Sequence, residues 1–164
     1  MTAALTSRDE ALHWVDMQQR REQTVVFTNG CFDLLHVGHI VYLEAAAQLG
    51  DQLIVGLNSD ASIRRLKGKN RPIIFEADRA RLLKALRMVS WVTIFDEDTP
   101  EVLISSIRPD VLVKGGDWPV EKIIGGDFVS SYGGKVIAMP FLSGYSSTRL
   151  IDTIVQRYRP EPIR

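Results

Sequence analysis

The sequence predicts an α/β domain, a parallel sheet of five strands with helices on both faces. Three observations lead there. Short β-rich apolar runs alternate with longer segments of helical spacing along the 164 residues. Those runs are nearly all apolar instead of alternating with polar residues, as strands covered on both faces require. The length suits one domain with a real core and is too short for two comfortable ones.

Taken in order, Arg8 to Glu22 has helical spacing ahead of the first strand, so residues 1–23 read as a helical extension packed outside the sheet. The domain itself spans 24–158, with a tail at 159–164. Residues 24–28 (TVVFT) form a first strand and Gly38 to Leu49 a helix, which Gly50 ends because glycine accepts the left-handed conformation of a helix C-terminus. Leu53 to Leu57 is a second strand, ending at Asn58-Ser59-Asp60. The basic run Arg64 to Arg71 (RRLKGKNR) reads as a loop. Glu76 to Met88 follows as a helix with one apolar face, then Trp91 to Phe95 as a strand. Pro100 to Ile107 is a helix with proline in its first turn. Val111 to Val113 is a strand running into KGGDW. A turn-rich stretch around Gly125-Gly126 and Gly133-Gly134 leads to a strand at Lys135–Met139. The last helix is expected over Thr148 to Tyr158.

Composition narrows the function classes. Hydrophobic content of 45% and charged content of 24% are ordinary for a globular chain, and the formal net charge of zero gives no support to nucleic-acid or anionic-membrane binding. A single cysteine, Cys31, excludes an internal disulfide and suits a reducing compartment. The first ten residues lack a basic and apolar signal pattern, and no apolar run approaches ~20 residues. A cytoplasmic protein is expected, with no membrane or nucleic-acid partner.

In a parallel sheet the ligand crevice lies beyond the carboxyl ends of the strands. The informative polar residues fall there: Thr28 to Asp33, Asn58 to Asp60, Lys114 to Trp118 and Ser143 to Thr148. Asn29-Gly30 makes a tight turn that lets a ligand approach the backbone. No G-x-G-x-x-G follows the strand and no G-x-x-x-x-G-K-[ST] occurs, so hydride transfer and P-loop chemistry lose their signatures. Two of the three histidines, His36 and His39, instead open the first helix after the strand, with Gly38 between them. Unpaired N–H groups and the helix dipole favour an anion there, and an imidazole can donate a hydrogen bond to a phosphoryl oxygen as charge grows. His13 reads as a helix-cap or packing residue of the outer helix and Cys31 as a small packing residue, since neither a base nor metal-ligand spacing accompanies the cysteine. On the crevice side the basic run becomes a phosphate clamp, with Lys67 and Arg71 its foremost members. Gly115-Gly116 lets a flat base lie against the main chain, and the hydroxyls of GYSST cap the last helix at a second anion-receptive terminus. The acidic run DEDTPE (96–101) is a solvated helix start.

His36-Val37-Gly38-His39 resembles the signature of the His-x-Gly-His nucleotidyltransferase superfamily. The wider pattern of TNGCFDLLHVGH, GLNSDAS, RLKGKNRP, DTPEVLI and PDVLVKGGDW resembles the adenylyltransferase domain of bacterial ADP-heptose synthase, over about Thr24 to Arg157. That family occurs fused to a sugar kinase or alone, and a chain of this length suits the standalone form. The resemblance implies a Rossmann-like fold and transfer of AMP from ATP, with Mg²⁺, to D-glycero-β-D-manno-heptose 1-phosphate, for lipopolysaccharide core or surface-glycan assembly; a homo-oligomer is expected. Carried over by position, it implies that His36, His39 and Lys67 act on the phosphates. Thr28, Asn29, Gly30, Phe32 and Gly38 would line the nucleotide, with Asp33 holding the loop or the metal-bound phosphates. Lys114, Gly115, Gly116 and Asp117 would line the nucleoside, and Ser146, Ser147 and Thr148 would bind base or phosphates. Asn58, Arg71 and Arg79 would face the acceptor; the resemblance assigns no metal ligand.

The nearest rival is a cytidylyltransferase acting on glycerol 3-phosphate or another small phosphorylated alcohol. Such enzymes carry Arg-Thr-x-Gly-Ile-Ser-Thr near the end, where this chain has Phe141 to Ser147, without the arginine. Two others rank lower: a regulatory module that has lost catalysis, against which the intact His36, His39 and Lys67 argue, and a tRNA-charging fragment, for which no Lys-Met-Ser-Lys-Ser loop is present.

Overall fold

A computed structural model describes residues 7–116 and 118–159. Five strands form one all-parallel sheet: β1 (Val25–Gly30), β2 (Gln52–Asn58), β3 (Trp91–Phe95), β4 (Val111–Gly115) and β5 (Lys135–Met139), in the order β3-β2-β1-β4-β5. The helices are α1 (Arg8–Gln19), α2 (Val37–Ala47), α3 (Asp60–Lys67), α4 (Glu76–Lys84), α5 (Glu101–Ile107), α6 (Gly126–Ser131) and α7 (Ser147–Arg157), with a 3₁₀ turn at Val120–Lys122.

The period of two along each strand divides the core into two layers. Val26, Leu53, Val55, Val92, Val111 and Val113 pack under Tyr42, Leu43 and Ala46 of α2 and Ala80 and Leu83 of α4. Val25, Phe27, Ile54, Phe95 and Leu112 pack on the other face, under Ala11 and Val15 of α1, Leu103, Ile104 and Ile107 of α5, and Val129 of α6. Complete burial of a Leu, Ile or Phe contributes roughly 1.5–3 kcal/mol, and Phe27, Leu43, Ile54, Leu83 and Leu112 are among those at or below 1% exposure. The α1 extension is integral to the second layer. A capping box between Ser7 and Glu10 starts it, and Trp14 stacks on Trp91 with ring centroids 5.2 Å apart.

Three expectations need correction. Half of the basic run is not a loop: Arg64 to Lys67 is the last turn of α3, which begins at the N-cap Ser59 and ends at Gly68 with φ +91°. The helical pattern is faint there because the run's charges cover an exposed face and only Ser62 and Ile63 are buried. The turn-rich stretch contains α6, anchored by Val129. The acidic run is partly paired: Arg65 donates to Asp98 at 2.7 Å and Arg8 to Glu97 at 2.5 Å, joining α3 and α1 to the end of β3.

The strand order reverses between β1 and β4, so the crevice opens beyond their carboxyl ends, between the loop after Gly30 and the loop after Gly115. At the far side stands α7, which has no buried residue and leaves Ile154 and Val155 exposed. Among the described residues no helix is long and apolar enough to cross a membrane.

Candidate active site

The loop leaving β1 delivers the two histidines to the crevice. His36 is the N-cap of α2, in extended conformation (φ −142°, ψ 168°) and with no side-chain cap bond, so its ring is free to face the cavity. His39 lies one turn on, and the two rings stack with centroids 3.8 Å apart and planes 19° from parallel. Both Nδ1 atoms are buried without a hydrogen-bond partner. Burial pushes the His39 pKa down to about 4, with the charges of His36 and Lys67 adding to it, and burial lowers that of His36. The unliganded pair is therefore neutral at pH 7, each ring carrying one N–H donor. A polyanion would supply the counter-charge that allows one to become cationic. Between the two in sequence, position 38 is glycine, and a Cβ there would come within 3.0 Å of both His36 Nδ1 and Tyr145 Cβ.

The loop itself is held by buried charge. Phe32 takes φ +43°, a left-handed conformation that costs a bulky residue about 1–3 kcal/mol. Next to it Asp33 is buried and accepts from Arg71 Nε at 2.7 Å and from the N–H groups of Ile73 and Ile74 at 2.8 and 2.9 Å. Burial alone would raise its pKa; the backbone donors of Ile74 and Ile73, with Arg71, outweigh that and hold it below the usual value. Of the two roles expected for Asp33, its bonds are those of loop holding.

Arg79, expected to face the acceptor, is fully buried and turned inward. Its three guanidinium nitrogens donate to Ile74 O (2.8 Å), Cys31 O (2.6 Å) and Asp60 Oδ1 (2.7 Å). It ties the β1 loop, α3 and α4 together and has no path to a substrate. Thr28 is likewise buried, sharing a 2.6 Å hydrogen bond with Tyr42 on the α2 side, and supports the wall from behind. The Gly116 N–H is taken by Met139 O. Asp117 lies outside the described residues.

The remaining expected residues line two joined cavities. One, of about 230 Å³, is bounded by His36, Gly38, His39, Lys67, Arg71, Phe141, Tyr145 and Ser146 to Thr148. The central one, of about 470 Å³, is bounded by Asn29, Gly30, Phe32, Asp33, His39, Asn58, Lys67, Arg71, Lys114, Gly115 and Ser147. His39, Lys67, Arg71, Phe141 and Ser147 border both. Ser146 caps α7 by accepting from Arg149 N at 3.1 Å, and Ser147 Oγ donates to Leu34 O at 3.2 Å, which fixes the helix N-terminus against the histidine loop. Asn58 Nδ2 donates to Ser62 Oγ at 3.1 Å and so carries the wall back to α3. At the opposite end of the strands, a wider open groove of about 830 Å³ runs from Val41 to Arg87 and Met88 but contains no comparable set of anion-binding groups.

The site also has aromatic members that the sequence does not reveal. Phe141 lies over Gly115, where a Cβ would come within 2.4 Å of its ring, and its centroid is 6.1 Å from that of Tyr42. Tyr145 flanks His36 at 6.4 Å. Nothing in an isolated aromatic residue signals this role; the glycine beside each, Gly115 for Phe141 and Gly38 for Tyr145, is the nearest available cue.

A parallel sheet reversing between β1 and β4, with a stacked histidine pair at the start of α2 and a cationic helix end opposite, defines a nucleotidyltransferase domain. The chain belongs to the cytidylyltransferase-like family, which matches residues 27–152. It is similar to the bifunctional protein HldE of Syntrophotalea carbinolica, 56% identical over 144 residues, and to that of Geobacter metallireducens, 54% identical over 147. These alignments cover 88% and 90% of this chain but 29% and 30% of the relatives, so the chain spans about three tenths of their length. Among solved structures, the lipopolysaccharide core biosynthesis protein of Thermoplasma volcanium is 30% identical with a TM-score of 0.59, covering 76% of this chain and 99% of that one.

Proposed function

We propose that this chain transfers AMP from ATP to D-glycero-β-D-manno-heptose 1-phosphate, releasing pyrophosphate and forming ADP-heptose for lipopolysaccharide core or related surface-glycan synthesis. The observation that carries nucleotidyl transfer is the unpartnered, neutral histidine pair at a helix N-terminus, facing Lys67 across a cavity that continues to Lys114. The choice of sugar and nucleotide rests on the resemblance of RLKGKNRP and VKGGDW to the heptose family and on the HldE relatives.

The chemistry is compatible with this set of residues. A sugar 1-phosphate is largely dianionic at neutral pH, its second pKa being about 6. One of its oxygens attacks the α-phosphorus; that new P–O bond forms as the bond to the β-phosphate oxygen breaks, and the electron pair leaves with pyrophosphate. No general base is needed. The protein has to align the two phosphates and offset the charge that accumulates, for which helix N-termini, imidazole N–H groups and lysine are suited. Among the described residues no group of three or more His, Cys, Asp or Glu could hold a cation, and Asp33 is committed to Arg71 and the backbone. Magnesium therefore enters this reading as Mg·ATP, a part of the substrate.

The test is pyrophosphate release from a panel of sugar 1-phosphates with Mg²⁺ and either ATP or CTP. Heptose 1-phosphate with ATP is expected to give the highest kcat/KM, at least tenfold above CTP. Such a preference needs only about 1.4 kcal/mol, one or two hydrogen bonds. Equal or better turnover with CTP would overturn the adenylyl assignment and leave nucleotidyl transfer standing.

A further inference from the structure

Beyond Asn29 and Lys114 a third cavity, of about 200 Å³, adjoins the central one. Pro100, Lys114, Trp118 and Ile124 border both, while Lys122 belongs to the smaller cavity alone. Strand alternation explains where it lies. Leu112 packs in the layer under α5 and α6, so Lys114, two residues on, projects to that same side of the sheet. The histidine pair belongs to α2, on the opposite side. The two small cavities therefore flank the strand ends from opposite faces, with the central cavity between them.

Lys114 is half-buried, and its side chain makes no hydrogen bond or ion pair among the described residues. Burial lowers its pKa; Cys31 acts in the opposite sense and the charge of Lys67 adds to the lowering. An ammonium kept in such surroundings gains from an anion beside it. The rest of the wall is mainly apolar, with the half-exposed indole of Trp118 packed against Gly116, where a Cβ would lie 2.8 Å from Trp118 Nε1. An indole face suits the C–H face of a sugar ring, and a cavity under half the size of the central one suits a single ring, not a nucleoside triphosphate.

Displacement at phosphorus puts the attacking and leaving oxygens on opposite sides of the atom. With pyrophosphate departing toward His36, His39 and Lys67, the acceptor has to enter from the Lys114 side. We infer that the cavity beyond Asn29 and Lys114 is the acceptor subsite, in which Lys114 holds the attacking phosphate and Trp118 covers the ring of a phosphorylated sugar. This reassigns Lys114 from the nucleoside to the acceptor, and it rests on the adenylyl-transfer reading above.

The test measures KM for heptose 1-phosphate and for ATP in wild type, Lys114→Met, Trp118→Ala and Trp118→Phe, together with equilibrium binding of ATP to each. Lys114→Met and Trp118→Ala are expected to raise the acceptor KM tenfold or more, with ATP affinity within twofold of wild type. Trp118→Phe, which keeps a ring, should recover most of the acceptor affinity. If wild type turns over heptose 1-phosphate but the two variants leave its KM within twofold, or weaken ATP equally, the subsite is overturned and the function stands. If wild type turns over no sugar 1-phosphate, the function falls and the subsite with it.

Discussion

The two walls of the crevice are built by different means. The β1 side is rigid: a loop with a strained Phe32 is fastened by the hydrogen bonds of Asp33 and Arg79, which leave the histidine Nδ1 atoms unpartnered. The β4–α7 side is made of exposed aromatics over glycines, with Phe141 61% exposed, Trp118 51% and Tyr145 50%. The difference teaches a division of labour. Groups that must meet developing charge gain from fixed positions, since preorganised donors need no rearrangement in the transition state. Groups that enclose the ring parts of substrates have to let them in and out, and exposed aromatic side chains can swing.

Breaking the fixed wall at its chemical end should give the largest effect. His36→Ala and His39→Ala are each expected to lower kcat by about 10²-fold or more, with a smaller change in the KM for ATP. Steady-state kinetics on folded variants check this; activity within a fewfold of wild type would return both histidines to a packing role.

Next comes the support behind that wall. Arg79→Ala strips a fully buried cation from Asp60 and from two backbone carbonyls, and breaking a buried pair this way costs about 3–5 kcal/mol. Chemical denaturation should register the loss as a lower midpoint. Arg79→Met, which fills the volume without the charge, should be similarly destabilised, because Asp60 and the carbonyls of Cys31 and Ile74 stay unpaired.

Arg79 also marks the limit of what the sequence conveys. The strands, their parallel order and the ligand edge are legible because apolar runs and helical spacing report burial directly, and His36-x-Gly-His39 is legible because its spacing serves chemistry. An arginine at the start of a helix carries no mark of whether it faces in or out; that depends on three acceptors, Cys31, Asp60 and Ile74, separated along the chain and joined only by folding. The same holds for Thr28, whose hydroxyl turns toward Tyr42 and away from the crevice. Lys67 is the opposite case: its place at the cavity is legible in the sequence, while the helix that carries it is not.

A smaller effect sharpens the comparison through pH. With its pKa held at about 4 in the fold against 6.5 for a free imidazole, His39 makes the unfolded chain bind more protons than the folded one between those values. Stability of the ligand-free protein should therefore fall as pH drops from 6.5 toward 4. Asp33 acts in the same direction lower down, its contribution being present above the ordinary carboxylate pKa of 3.8 and lost as pH falls through its depressed folded value. Thermal melts across pH 4 to 7 check the histidine part: His39→Gln should flatten the slope. ATP should flatten it too, because bound phosphates favour the protonated ring.

The mildest perturbation tests the yielding wall. A Cβ at Gly115 would come within 2.4 Å of Phe141, the far end of an exposed ring that can move into solvent, and 3.1 Å from the buried ring of Tyr42, which has to give by a few tenths of an ångström. Gly115→Ala should consequently destabilise by only about 1 kcal/mol, the ordinary effect of a point substitution. It should still raise the KM for nucleotide severalfold, since the displaced ring narrows the passage that Phe141 borders between the two joined cavities. Phe141→Ala removes the ring that would be displaced, so in the double variant the alanine at 115 should add little to the nucleotide KM beyond the cost of losing Phe141 alone. A thermodynamic cycle on nucleotide KM reads that coupling. Fully additive effects would mean that Gly115 meets the nucleotide directly and that the two positions act independently, whereas a large loss of stability in Gly115→Ala would show this wall to be as rigid as the other.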